Sequence, residues 1–300
     1  MLAPMAGVTD NGYRKICRKY GADVTVSEMV SSKGIFYKDK KSTQLLHFDC
    51  DEEPIVLQIF GHDPDCMKYA AEFVTNNYSP IGIDINMGCP APKIFQNGDG
   101  SALMKNHDLA SKVIIAVKQN TNLPVSVKFR SGIDEAHICA VEFAKMCEES
   151  GADYITIHGR TREQFYSGVS DIEIIKKVVK AVTIPVVANG DIKDAASARH
   201  MLNYTGAHSL MIGRASLGNP LVFNEIKNIR TNCNLFDIAV EHIESIKKYK
   251  PETVAIKEFR KHLIWYLKGV KNAAEYKRSA CEVNTTDDCI NLLNHIKENV

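Results

Sequence analysis

Between residues 1 and 214 the chain alternates eight times between short apolar runs and helical patterns, with mostly short connections. The runs fall at 1–6, 24–28, 54–61, 82–87, 124–132, 152–158, 185–191 and 209–214. Several begin on a Gly-Ala pair or a proline, and most end on polar residues. Parallel strands joined by crossover helices read this way. Eight such units in about 220 residues fit a (β/α)₈ TIM barrel, an α/β fold, better than an open doubly wound sheet. No Gly-x-Gly-x-x-Gly follows the first run, which argues against a Rossmann dinucleotide site. The first strand should be very short, since only Met1 and Leu2 precede Ala3-Pro4.

Helices are expected over 12–20, 63–77, 108–119, 136–150, 171–181 and 194–203. Asp10 or Asn11 supplies the cap of the first, and Asp63-Pro64 opens the second. Residues 31–53 carry Lys33, Lys38, Lys40 and Lys41 and read as a polar loop.

With 45% hydrophobic residues the chain can bury a large core. Its net charge of +1 gives no global signature for nucleic acid, so any basic site has to be local. No apolar run approaches the length of a membrane span, and the first residues lack the charged and apolar regions of a signal peptide. The nine cysteines are odd in number and contain no Cys-x-x-Cys pair. Neither a disulfide framework nor a metal site is expected, and a reducing cytoplasm is the simplest setting. A monomer is the expected state.

Beyond Arg230 the composition changes: residues 235–300 hold one glycine, Gly269, and one proline, Pro251. Phe236, Val240 and Ile243 recur at helical spacing. So do Phe259, Leu263, Tyr266 and Leu267, and then Ile290, Leu293 and Ile296. The chain therefore divides into a barrel over 1–232 and a small helical domain over 233–300. Residues 257–278 set Lys257, Arg260, Lys261, Lys268, Lys271, Lys277 and Arg278 against Glu258 and Glu275, with Tyr266 and Tyr276 interleaved. The stretch reads either as a solvated helix face or as a patch for a phosphate backbone.

A barrel places its active site where the strand C-termini meet. The residues brought there are Pro4, Met5 and Ala6, Glu28, Gln58, Asn86 with Cys89, Lys128 with Arg130, His158, Asn189-Gly190-Asp191 and Gly213-Arg214. A period of two puts Lys128 and Arg130 on one face of their strand. The run Gly82-Ile-Asp-Ile-Asn-Met-Gly-Cys-Pro90 delivers an amide and a thiol to the mouth, with Pro90 stiffening the exit. Cys89 is either a small buried hydrophobe or a thiol presented to a pocket. Glycines at 190 and 213 let backbone amides approach an anion and Arg214 adds charge, which suits a phosphorylated cofactor or substrate. Lys128 reads as half of a buried ion pair with Glu28 or Asp191, as a fixed cation for a developing negative charge, or as a Schiff-base amine. His158 is either a satisfied core histidine or a ligand contact. Gln58, between Leu57 and Ile59, has to find partners if buried, and a flat heterocycle with polar edges would supply them.

Six segments, in this order, resemble the tRNA-dihydrouridine synthases of the bacterial B-like branch. They are Ala3-Pro-Met-Ala-Gly-Val-Thr-Asp10, Asn86-Met-Gly-Cys-Pro90, Lys128-Phe-Arg130, His158-Gly-Arg-Thr-Arg162, Asn189-Gly-Asp-Ile192 and Gly213-Arg214. The resemblance reaches into the tail through Lys261-His-Leu-Ile-Trp-Tyr-Leu-Lys-Gly269. It implies an FMN-bearing barrel that reduces specific uridines in tRNA at the C5–C6 double bond, with NADPH recharging the flavin. By the same resemblance, Pro4, Met5, Ala6, Gln58, Lys128, His158, Asn189, Gly190, Asp191, Gly213 and Arg214 would hold the cofactor. Cys89 would be the general acid. Asn86, Arg130, Arg160 and Arg162 would grip a uridine flipped out of its stack. Lys261, Lys268 and Lys271 would hold the tRNA body, mostly by phosphate and shape.

Two features depart from the family pattern: the short lead into Ala3-Pro4, and an Asn97-Gly-Asp-Gly segment that is acidic where a basic one is expected. The rival readings are a flavin barrel acting on a free pyrimidine, similar to dihydroorotate dehydrogenase, a Schiff-base aldolase using Lys128, and a tRNA-binding protein without catalysis. The basic tail speaks against the first, since a small substrate needs no such surface.

Overall fold

The computed structural model describes residues 1–299; Val300, at the end of the expected helical domain, lies outside them. Its strands are β1 (Thr25–Val26), β2 (Val30–Ser31), β3 (Ile55–Phe60), β4 (Gly82–Met87), β5 (Val125–Arg130), β6 (Tyr154–His158), β7 (Val186–Asn189) and β8 (Ser209–Met211). They pair in parallel in the order β1-β3-β4-β5-β6-β7-β8, and β2 continues the β1 side by pairing with the end of β3. Leu2 completes the circle, bridging Thr25 on one side and Ile212 on the other. The fold is a TIM barrel whose first stave is a single bridging residue.

Alternation along each strand decides which side chains face the barrel interior. In β4, Ile83, Ile85 and Met87 join the main hydrophobic core. Asp84 and Asn86, one step out of phase, hydrogen-bond to Ser126 and Gln58 from the neighbouring strands. Ala3, Val26, Val56, Val187 and Met211 form a smaller hydrophobic cluster of their own.

Ten helices cover the strands: α1 (Asn11–Lys19), α2 (Ser32–Phe36), α3 (Lys40–Gln44), α4 (Pro64–Asn77), α5 (Pro92–Gln96), α6 (His107–Lys118), α7 (Ala140–Glu149), α8 (Ile172–Ala181), α9 (Ala195–Thr205) and α10 (Val222–Ile226). Asp10, Asp63, Asp171 and Asp194 each accept backbone N–H groups at a helix start, which satisfies donors the helix cannot. Two expectations need correction. Residues 31–53 are not a simple loop: Ser31 and Asp39 accept the N–H groups of Gly34 and Ser42 and so start α2 and α3. The helix expected from 136 starts at Ala140, because Asp134 takes the N–H groups of Ala136 and His137 and Gly132 pairs with Ile138.

The tail forms α11 (Leu235–Lys247), α12 (Glu252–Tyr266), α13 (Ala273–Glu282) and α14 (Thr286–Asn299). These helices pack on Phe236, Ile243, Phe259, Leu263, Leu293 and Ile296, and Ile16 of α1 and Tyr20 at its C-cap belong to the same cluster. The barrel thus lends two side chains to the core of the tail. At the seam Gly218 has φ +72°, and a Cβ there would stand 2.3 Å from the carbonyl oxygen of Trp265. Only glycine allows that approach. Among the described residues no helix is long and apolar enough to cross a membrane, and no group of three or more His, Cys, Asp or Glu side chains could hold a metal.

Candidate active site at the barrel mouth

Strand register sets the expected residues side by side. Asn86 stands opposite Lys128, and Lys128 opposite Thr156. Nearer the strand ends, Arg130 stands opposite His158, and His158 opposite Asn189. The period of two and the parallel register together turn scattered sequence positions into one polar surface.

Cys89 sits at the corner where β4 leaves the barrel, half-buried. Asn86 Oδ1 accepts the N–H groups of Gly88 (3.1 Å) and Cys89 (2.9 Å), and Arg130 Nε donates to the Gly88 carbonyl at 2.9 Å. Ser101 holds the Cys89 carbonyl from the other side through its N–H (3.2 Å) and hydroxyl (2.8 Å). Burial pushes the thiol pKa up, against a smaller opposing pull from the Ala91 N–H and then from Arg130 and Lys128. At neutral pH Cys89 is therefore a proton-bearing thiol, and the N–H and C=O groups of Gly88 and Cys89 are all anchored.

Lys128 pairs with neither Glu28 nor Asp191. Its Nζ donates to Asn189 Oδ1 at 3.1 Å, and Asn189 Nδ2 donates in turn to the Met211 carbonyl at 2.7 Å. Glu28 instead accepts the N–H of Gly7, and Asp191 takes Arg160 (2.8 Å), Arg214 (3.2 Å) and the N–H of Ser170 (2.8 Å). Burial lowers the Lys128 pKa, and the nearby Arg130 charge lowers it further. His158 is buried, with Nε2 3.5 Å from Arg160, and burial followed by four surrounding cations drives its pKa well down. It is a neutral imidazole. For Asp191, burial pushes the pKa up, but hydrogen bonds from Arg160 and Ser170 and the nearby arginines leave it below the ordinary value.

Other expected residues have different duties. Gln58 is fully buried and finds its partners within the barrel, donating to Asp84 Oδ2 (2.6 Å) and accepting from Asn86 Nδ2 (2.9 Å). The carboxamide of Asn86 is spent on Gln58 and on the Cys89 corner. Arg130 and Arg160 turn inward as braces of the loop after β6: Arg130 donates to the carbonyls of Thr161 and Phe165, Arg160 to those of Ser167 and Gly168. Arg162 lies over the Phe95 ring at 4.3 Å, and its Nε has no partner. Met5 is the neighbour of Gly213, and the loop from Pro4 to Ala6 rims the mouth between β8 and Glu28. Lys261 reaches from the tail to the Gly7 carbonyl, whereas Lys268 and Lys271 are exposed.

The sequence reading missed Asp84, Ser126 and Tyr166. Asp84 shares the inward phase of Asn86, a signal open to period-two reasoning. Burial pushes its carboxyl pKa up, against hydrogen bonds from Ser126 and Gln58. Tyr166 gives no such signal, because a tertiary contact places its ring beside the guanidinium groups of Arg214 (4.9 Å) and Arg130 (5.8 Å).

Comparison with known proteins adds independent findings. A family model described as "Dihydrouridine synthase (Dus)" matches residues 1–300. The chain is 38% identical over 288 residues to tRNA-dihydrouridine synthase B of Vibrio vulnificus, covering 93% of this chain and 89% of that one. It is 38% identical over 296 residues to tRNA-dihydrouridine synthase B of Pseudomonas aeruginosa, covering 96% and 89%. The enzyme of the same name from Shewanella oneidensis is 40% identical over 276 residues, covering 89% and 85%. Among solved structures, a variant of NCR from Zymomonas mobilis superposes with a TM-score of 0.53 at 15% identity, covering 79% of this chain and 89% of that one. That last likeness is one of fold alone.

Proposed function

The chain belongs to the dihydrouridine synthase family, and from that membership we propose that it reduces uridines of tRNA to 5,6-dihydrouridine, with Cys89 as the proton donor. One observation carries the reading: a thiol kept protonated and an ammonium whose hydrogen-bond partner is neutral face the same barrel mouth. Addition of hydride to one carbon of a pyrimidine double bond needs a proton for the other carbon and a cation for the charge that builds between them.

The donor set fits FMN. Four cations, Lys128, Arg130, Arg160 and Arg214, surround the neutral His158, and Asp191 is ion-paired with two of them. Thr156 and Ser170 add buried hydroxyls without partners. This excess of positive charge suits a phosphate and an anionic reduced ring. Bound there and recharged by NADPH, FMN would supply the hydride for uridine C6.

The chain's own residues do the rest. Cys89 Sγ releases its proton to C5, and its raised pKa keeps it loaded for that step at neutral pH. Lys128, oriented by Asn189, would offset negative charge that builds on the cofactor. His158 contributes a hydrogen bond without adding a fifth cation. Arg214, fixed by its ion pair with Asp191, and the backbone from Asn189 to Gly190 and at Gly213 would hold the phosphate side, and Pro4, Met5 and Ala6 would line the mouth through backbone atoms. Gln58 and Asn86 act from beneath, by setting the Cys89 corner. Arg162, stacked on Phe95, meets the target nucleotide after it leaves its stack. Residues 233–300 hold the tRNA body through exposed lysines such as Lys268 and Lys271, while Lys261 ties that unit to the mouth.

The purified protein should be yellow, and mass spectrometry of tRNA should detect new dihydrouridine after incubation with NADPH. Cys89→Ala should retain flavin reduction by NADPH and lose uridine reduction. Undiminished dihydrouridine from that variant would remove the acid role. A lowered Lys128 would also suit a Schiff-base aldolase, which predicts a colourless protein inactivated by borohydride in the presence of a carbonyl substrate.

A further inference from the structure

Asp99 makes an unusual choice of partner. It occupies the N-cap position of the 3₁₀ turn Gly100–Lys105, where an aspartate ordinarily accepts the N–H of the second or third residue. It makes no such bond. Its Oδ1 lies 2.8 Å from Nδ1 of His62, the second residue past β3. Of the two N–H groups within reach of such a cap, that of Ser101 donates to the Cys89 carbonyl and that of Ala102 to the Asp99 carbonyl. Gly100, between Asp99 and Ser101, has φ +59° and packs so tightly that a Cβ would stand 3.0 Å from Cys89 Cβ. The backbone of Asp99 is tied as well, its N–H to the Ile94 carbonyl at 3.1 Å and its carbonyl to Ala102 N–H at 3.2 Å. The carboxylate is therefore the free element of this loop, and His62 decides where it goes.

We propose that His62 is a positioning residue for Cys89: it draws the Asp99 carboxylate away from its cap and so leaves Ser101 N–H to anchor the Cys89 carbonyl. The pair acts through hydrogen-bond competition. Without His62, Asp99 caps its own turn, Ser101 N–H is taken, and the corner that carries the thiol loses one of its two anchors on that side. The proposal rests on the reading of Cys89 as proton donor for its catalytic consequence, but not for its structural one. A rival origin for any effect is direct RNA contact, because Asp99 also lines an open cleft of about 570 Å³ with Lys33, Phe60, Lys93, Ile94 and Asn97.

The test compares His62→Ala, His62→Gln, Asp99→Ala and the double variant His62→Ala/Asp99→Ala in the full-length, flavin-loaded protein. Two readouts are taken: the iodoacetamide alkylation rate of Cys89, mapped by peptide mass spectrometry, and kcat and KM for tRNA. His62→Ala should alter Cys89 alkylation severalfold and lower kcat about tenfold, the scale of a small misplacement of a reacting group, with KM unchanged. His62→Gln, which keeps a donor for Asp99, should retain most of the rate. The double variant should recover most of what His62→Ala loses, because the competing carboxylate is gone. A double variant no better than His62→Ala overturns the proposal, as does unchanged alkylation and kcat in His62→Ala, or an effect confined to KM. Alkylation does not depend on what the thiol does in catalysis. If Cys89→Ala retains full activity, the acid role falls while the positioning claim is still decided.

Discussion

Lowering the pH should weaken the seam between barrel and tail through two histidines. His242 and His262 are buried with ring centroids 4.6 Å apart, each 5.2 Å from the ring of Tyr13 on α1. The hydroxyl of Tyr266 meets His242 Nδ1 at 3.3 Å, but His242 Nε2 and His262 Nδ1 have no partner. Burial pulls the His242 pKa from its ordinary 6.5 to about 4, with Asp10 opposing and Lys261 and Lys250 assisting. His262 is driven down for the same first reason, and the neighbouring His242 adds to it. Both rings are neutral in the folded chain and take up protons near pH 6.5 in the unfolded one. Stability from this source is complete above pH 6.5 and falls as the pH drops toward 4, because the unfolded state then binds more protons. For His242 alone the loss is about 3 kcal/mol, a large share of an ordinary domain's stability. The assay is urea unfolding between pH 7.5 and 4.5 for the parent and His242→Leu, followed by fluorescence of the sole tryptophan, Trp265, whose ring centroid is 5.1 Å from that of His262. Carboxylates remote from the seam titrate alike in both proteins, so the difference between the two curves reports His242 together with the two groups coupled to it, Asp10 and His262. That difference should change by about 2.5 kcal/mol across the window. Parallel curves would refute the reasoning, whatever the absolute cost of the substitution.

Reversing charge with Lys268→Glu and Lys271→Glu should weaken tRNA binding severalfold and flatten its dependence on salt, measured by filter binding at two ionic strengths, because fewer counterions are released. Unchanged affinity and slope would move the RNA contact elsewhere. Gly218→Ala forces a Cβ against the Trp265 carbonyl and an unfavourable positive φ, so it should destabilise by more than about 1 kcal/mol and loosen the tail first, read by limited proteolysis.

The repeat of the backbone made much of this protein legible in advance. Alternation with a period of two placed Lys128 with Arg130, and Asn86 near Cys89, at strand ends. Eight strand–helix units called for a barrel, and a glycine-poor tail with helical spacing called for helices. These features depend on neighbours within one element, and a chain carries that information locally. Which partner each polar group takes is a different kind of quantity. Lys128 meets Asn189, 61 residues away, and Arg160 meets Asp191, 31 residues away, only because the circle closes in one register. The same closure turns Arg130 and Arg160 inward onto loop carbonyls and supplies Gln58 with Asp84 and Asn86. It also gives Ile16 and Tyr20 to the core of the tail. A buried donor or acceptor must be satisfied by whatever the assembled barrel brings within reach. The residue types at the mouth were therefore readable from sequence, whereas their pairings were decided by the closed ring of strands.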